Sequence, residues 1–138
     1  IVDYPVYAEA AAGARAADWQ AAVQALVDSA VETVYVSPLV TDPAAWEALA
    51  GTQMVLITGA PLPADLAARG VVQIRPDPLP AALELLPRLL AGEGGLISPL
   101  PIRFVEVNEE RFSPGRQVRA KEILADLLAG YIDTGVEK

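Results

Sequence analysis

Polar side chains that could bind a small molecule follow the strand-like stretches of this sequence. These candidate ligand-binding residues are Ser37, Thr41, Asp42, Thr58 and Asp77. Their hydroxyl and carboxylate oxygens accept hydrogen bonds, which suits hydroxyl, amine or amide groups on a neutral or cationic solute better than an anion. The spacing therefore predicts a non-covalent binding site built from loops that follow strands.

Helix capping offers a second explanation for part of this set. Pro43 fits the first position of a helix, and Asp42 immediately before it is a natural N-cap. Asp77 invites the same interpretation before the next helix-like stretch. The helix starts "PLPADL" and "PLPAAL" keep the Pro but lack the Thr-Asp pair. Capping leaves Ser37 and Thr41 as the residues whose presence it does not explain.

The residue types on which most catalysis depends are missing. The chain has no Cys and no His, which removes thiolate nucleophiles, imidazole bases, disulfides and Cys/His zinc sites. Lys occurs only at 121 and 138, and "EAAAGARAAD" holds one Gly, so phosphate-loop and dinucleotide fingerprints are absent. The adjacent Glu109 and Glu110 stand beside Arg111 and favour a solvated turn. We predict no enzyme activity, no catalytic residue, no metal site and no cofactor.

Charge restricts the partners. The 138 residues include 10 Lys and Arg against 18 Asp and Glu, which gives a net charge of −8. No basic stripe offsets this, so nucleic acid and anionic membranes are poor partners. No apolar run approaches the roughly 20 residues of a membrane helix, so we expect no direct insertion by this chain.

The elements that must position the candidate residues alternate along the chain. Apolar, β-branched stretches predict five strands, at 1–8, 31–37, 53–58, 71–75 and 102–107. Helical periodicity predicts five helices, at 18–30, 42–50, 63–70, 80–92 and 116–132, with a kink or break at Pro87.

This alternation predicts one α/β domain over residues 1–138. Right-handed β-α-β crossovers imply a three-layer α/β/α sandwich, with helices on both faces of a five-stranded, mainly parallel sheet. We expect the flavodoxin-like or Rossmann-like strand order 2-1-3-4-5, which places ligands at the carboxyl ends of the strands.

Two long stretches resemble a known family. "DWQAAVQALVDSAVETVYVSP" and "PLPIRFVEVNEERFSPGRQVRAKEILADLLAGYIDTGV" are similar to the substrate-binding components of ABC transporters. The resemblance is to basic membrane lipoproteins among the class I periplasmic binding proteins. It rests on these positions: Ala22, Leu26, Ala30 to Glu32, Val34 to Val36, Gly115, Ala120, Leu124, Leu127 and Gly130.

The resemblance implies that the chain is one excised lobe, the C-terminal part, of a two-lobe solute-binding protein. Its parent would be extracytoplasmic and lipid-anchored through another region. It would close on a nucleoside, sugar or amino acid and deliver that solute to a membrane permease. The alternative is a structural or self-associating α/β interaction module with no small-molecule site. A lobe without its partner would also expose apolar surface and could form a homodimer.

Overall fold

The computed structural model describes residues 7–10, 13–98 and 100–132. The chain divides into two compact units, Ile1–Ile74 and Arg75–Lys138. The first unit contains helix α1 (Ala16–Asp28), strand β1 (Thr33–Val36), helix α2 (Pro43–Ala50), strand β2 (Val55–Thr58), a 3₁₀ helix (Ala64–Arg69) and most of strand β3 (Gly70–Pro76). The second contains helix α3 (Pro78–Leu90), strand β4 (Ile102–Val105) and helix α4 (Pro114–Leu128).

The mixed α/β class is confirmed, but the predicted strand number and order are wrong. The sheet has four strands in the order β1-β2-β3-β4. The order 2-1-3-4-5 requires the N-terminal strand between β1 and β2. These two strands instead pair directly and in parallel, with Val34 beside Leu56. Of the predicted strand at 1–8, residues 1–6 lie outside the described residues, and residues 7–8 are not in a strand.

In the first unit, the helices lie on one face of β1 and β2. The predicted sandwich has helices on both faces of the sheet. Sequential parallel neighbours joined by right-handed crossovers bring each connecting helix to the same side of the sheet. The core cluster shows this arrangement, since strands, both helices and the 3₁₀ helix all contribute to it: Val23, Val36, Leu49, Leu56 and Leu66. Tyr35 points to the other face and is 56% exposed.

The second unit has a thinner interior. All nine buried apolar side chains among the described residues belong to the first unit. In the second unit, Phe104 and Phe112 meet edge to face with ring centroids 5.3 Å apart. The Gln117 amide donates to the Phe112 carbonyl at 3.0 Å, which secures the start of α4. No helix in the described ranges is long and apolar enough to span a bilayer.

A close backbone approach holds the carboxyl ends of β1 and β2 together. The Gly59 N–H donates to the Val36 carbonyl at 2.9 Å. A Cβ on Gly59 would lie 2.8 Å from the Pro38 nitrogen and closer still to the ring carbon Cδ. Glycine is therefore required here because of space, and the contact fixes the loop that carries Ser37.

We expect Gly59→Ala to lower the free energy of unfolding by about 1–3 kcal/mol, because either the Pro38 ring or the end of β2 must move. Gly51→Ala is the matched control in the same unit. Its Cβ would meet only the Ala48 carbonyl oxygen at 3.4 Å. The control should stay within about 1 kcal/mol of wild type. Urea denaturation followed by circular dichroism measures both variants, and equal losses would contradict the proposed clash.

Candidate functional site

Three of the predicted binding residues lie at the carboxyl edge of β1 and β2, namely Ser37, Thr41 and Thr58. Ser37 follows Val36, which pairs with Thr58 across the two strands. The Ser37 hydroxyl accepts a hydrogen bond from the Leu39 N–H at 3.2 Å and so closes a local turn. Thr58 is only 1% exposed, while Thr41 is exposed. Of these three residues, Thr41 is the one with an exposed side chain.

Asp42 uses both carboxylate oxygens within the fold. Its Oδ1 accepts from the Ala44 N–H at 2.9 Å, which is the N-cap contact that the Pro43 position predicts. Its Oδ2 accepts from the indole N–H of Trp19 at 3.0 Å. The second contact joins α1 to the start of α2 across 23 positions of sequence. The structural interpretation of Asp42 therefore accounts for the whole side chain.

A buried polar pair, which the sequence analysis does not single out, lies next to this edge. Thr58 on β2 is the register partner of Gln73 on β3, and Gln73 is 2% exposed. Both side chains therefore point into the protein and away from a solvent-borne ligand. A lone Gln within the apolar stretch "VVQI" is the sequence signal for this pair.

Asp77 belongs to the second unit and precedes α3. It occupies the N-cap position without a side-chain capping hydrogen bond. Its backbone N–H donates to the Pro101 carbonyl at 2.7 Å. The predicted cap is thus present in position but not in contact.

The strand order also affects whether a ligand crevice can form at the carboxyl edge of the sheet. In open parallel sheets, ligand crevices form where the strand order reverses direction. The order β1-β2-β3-β4 has no reversal. Among the described residues, no group of three or more acidic side chains is placed to hold a metal ion. The carboxyl edge therefore offers single polar groups and not a converging set.

A groove opens at the opposite, amino edge of β1 and β2. It has a volume of about 970 Å³ and lies between α1, the C-terminal half of α2 and the segments that lead into the two strands. Val23 and Met54 form buried parts of its wall, and Glu32 and Glu47 are exposed on it. The groove is not predicted from the sequence, because ligand sites in parallel α/β sheets are expected in the loops that follow strands, whereas these residues precede them.

An apolar stripe runs along α3, and we call it the leucine stripe. It consists of Leu79, Leu83, Leu86 and Leu90, each between 57% and 80% exposed. The helix continues through Pro87, so of the predicted kink or break the break does not occur, and the four side chains share one helix. The spacing of four, three and four residues keeps them within about 60° of one another around the helix axis.

Comparisons with protein-family models, with curated proteins and with solved structures find no similar protein. The resemblance to ABC-transporter binding proteins therefore stays a prediction. Part of it has a direct structural explanation in α4. Ala120, Leu124 and Leu127 are half-buried, at the spacing that any helix with one inward face needs.

We expect Asp42→Ala to lower the free energy of unfolding by about 1–3 kcal/mol, because it removes an N-cap and leaves the Trp19 indole N–H without its acceptor. Asp77→Ala is the matched control, since Asp77 caps by position only. The control should cost less than about 0.5 kcal/mol. Far-ultraviolet circular dichroism in urea monitors the helices of both units. A cost for Asp77→Ala as large as that for Asp42→Ala would contradict this assignment.

Proposed function

We propose that this chain is a non-catalytic interaction module that self-associates through the leucine stripe of α3. The observation that carries the proposal is the exposure of four leucines in one row on a helix that has no buried residue. Soluble proteins seldom expose a contiguous apolar row without a partner.

The orientation of α3 supports the proposed self-association. Ala81 and Leu85 are the half-buried positions of the helix. At 3.6 residues per turn they lie roughly 150° around the axis from the middle of the leucine stripe. An amphipathic helix ordinarily turns its apolar face to the core. Here the helix packs through two side chains and leaves the richer apolar face uncovered.

A second copy of the chain suits the stripe because the positions on either side of it carry no charge. These flanking residues are Pro80, Ala82, Pro87 and Leu89. Glu84 and Arg88 approach one another within 3.9 Å on the far side of the helix. Two stripes can therefore meet about a two-fold axis without like charges facing each other, although each chain carries −8. Each Leu that becomes buried contributes roughly 1–2 kcal/mol.

The solute-binding lobe is the second candidate. It is supported by the parallel pairing of β1, β2 and β3 and by exposed Thr41 beside the turn of Ser37. In that proposal the chain supplies one face of a hinge-closing site, in an extracytoplasmic lipoprotein that serves a membrane permease. The engagement of Asp42 and the burial of Thr58 leave this candidate fewer free ligands than the sequence predicts.

Self-association predicts a concentration-dependent dimer that Leu83→Gln with Leu86→Gln dissociates. Removing four buried leucines per dimer should weaken association at least about 100-fold. Both side chains are exposed in the monomer, so the variant should keep its helical content. Sedimentation equilibrium measures the association, and circular dichroism checks the fold.

Leu39→Gln is the control for that experiment. Leu39 is 87% exposed and lies in the first unit, away from α3 in sequence. This variant should dimerise like wild type. A monomeric wild type across a wide concentration range would contradict self-association, and so would equal dissociation of the control.

The solute-binding candidate predicts that a nucleoside, sugar or amino acid raises the melting temperature of the chain. A ligand present at 100 times its Kd adds about 2.7 kcal/mol, enough for a shift of several degrees. Thr41→Ala should remove that shift, whereas Thr33→Ala, an exposed Thr at the amino end of β1, should preserve it. Differential scanning fluorimetry gives the result, and the absence of any shift across the panel counts against this candidate.

A further inference from the structure

The groove at the amino edge of β1 and β2 is open to solvent, and its volume falls within the range of small-molecule sites. Its volume of about 970 Å³ lies at the upper end of the roughly 300–1,000 Å³ typical of ligand pockets. Apolar side chains from α1, from the start of β2 and from the segments that lead into β1 and β2 line it, namely Val23, Val27, Val31, Met54 and Val55. This wall can cover the hydrocarbon part of a ligand.

The ionisable groups that line the groove are acidic. Glu32 and Glu47 both line it and both are exposed, and no Lys or Arg is among the lining residues. Within the described part of the chain, neither carboxylate forms an ion pair with a basic side chain. Two carboxylates without a protein counter-charge can accept a cation from solution.

The C-terminal end of α2 adds charge of the same sign. Ala48 and the C-cap Gly51 line the groove, and α2 has no basic residue in its last turn. Arg69 is the nearby cation. Its guanidinium donates to the Leu49 carbonyl at 2.9 Å and to the Thr52 carbonyl at 2.5 Å. The Arg69 guanidinium is therefore engaged with carbonyl groups at the end of α2, and it forms no ion pair with either glutamate of the groove.

We propose that this groove binds an organic cation, in which an apolar body seats on the valine and methionine wall and an ammonium group meets Glu32 and Glu47. Three amide side chains on the groove, Gln20, Gln24 and Gln53, can donate to or accept from further polar groups of such a ligand. The groove shares no residue with the leucine stripe, since its lining belongs to the first unit. It does not depend on the proposed self-association.

Dansylcadaverine tests the proposal, because it joins an apolar fluorophore to an alkyl chain that ends in a primary ammonium. Its N-acetyl derivative has the same body without the charge. We expect saturable binding of dansylcadaverine with a blue-shifted emission, and binding of the acetylated compound roughly tenfold weaker. Raising the salt concentration should weaken the charged probe only.

Two double variants locate the binding. Glu32→Gln with Glu47→Gln should weaken dansylcadaverine roughly tenfold and bring it to the affinity of the acetylated compound. Glu109→Gln with Glu110→Gln makes the same change in net charge in an exposed turn of the second unit and should leave binding unchanged. Val27→Ser, at a side chain already 43% exposed, should weaken both probes.

The outcomes separate groove binding from the alternatives. Equal affinity for the two probes, equal effects of the two double variants, or no saturable binding would each overturn the proposal. Loss of binding in Leu83→Gln with Leu86→Gln alone would place the probe on the leucine stripe and would also overturn it. Wild-type binding in that variant supports the groove, whether or not the chain dimerises.

Discussion

The direct parallel pairing of β1 with β2 determines most of what the first unit can do. With Val34 beside Leu56 and Val36 beside Thr58, no strand can lie between them. The strands then follow one another in chain order, so right-handed crossovers bring the connecting segments to one face. One core forms on that face, and Leu56 at its centre is fully buried. The other consequence is a carboxyl edge without a change of direction, which is where this fold class would otherwise form a ligand crevice.

Local chemistry was predictable from the sequence, and long-range pairing was not. Four strands and the helices between them lie where periodicity places them, and Asp42 caps α2 as Pro43 indicates. Strand order was not predictable, because apolar runs identify strands without specifying their neighbours. The bond from Trp19 to Asp42 spans 23 positions, so no local pattern could reveal it.

The candidate binding residues show the same difference between local features, which were predictable, and three-dimensional arrangement, which was not. Ser37 and Thr58 do come to one edge, as parallel strands require, but orientation decides their availability. A period of two turns Thr58 into the core together with Leu56. The leucines of α3 are visible in the sequence as a helical row, and periodicity alone suggests that the row is buried. Only the structure shows that Ala81 and Leu85 face inward instead. The groove depends on two helices and two strand starts that are separated in sequence.

The contrast between the two units gives the proposed interface an energetic role. The first unit holds all nine buried apolar side chains of the described residues, so it can repay the entropy of ordering its own chain. The second unit has half-buried contacts and a fully formed helix that exposes four leucines. A partner that binds only the folded form stabilises it by mass action. In the proposed dimer, pairing through α3 therefore stabilises the second unit without changing its fold, so the free energy of unfolding of that unit should rise with protein concentration while that of the first stays constant.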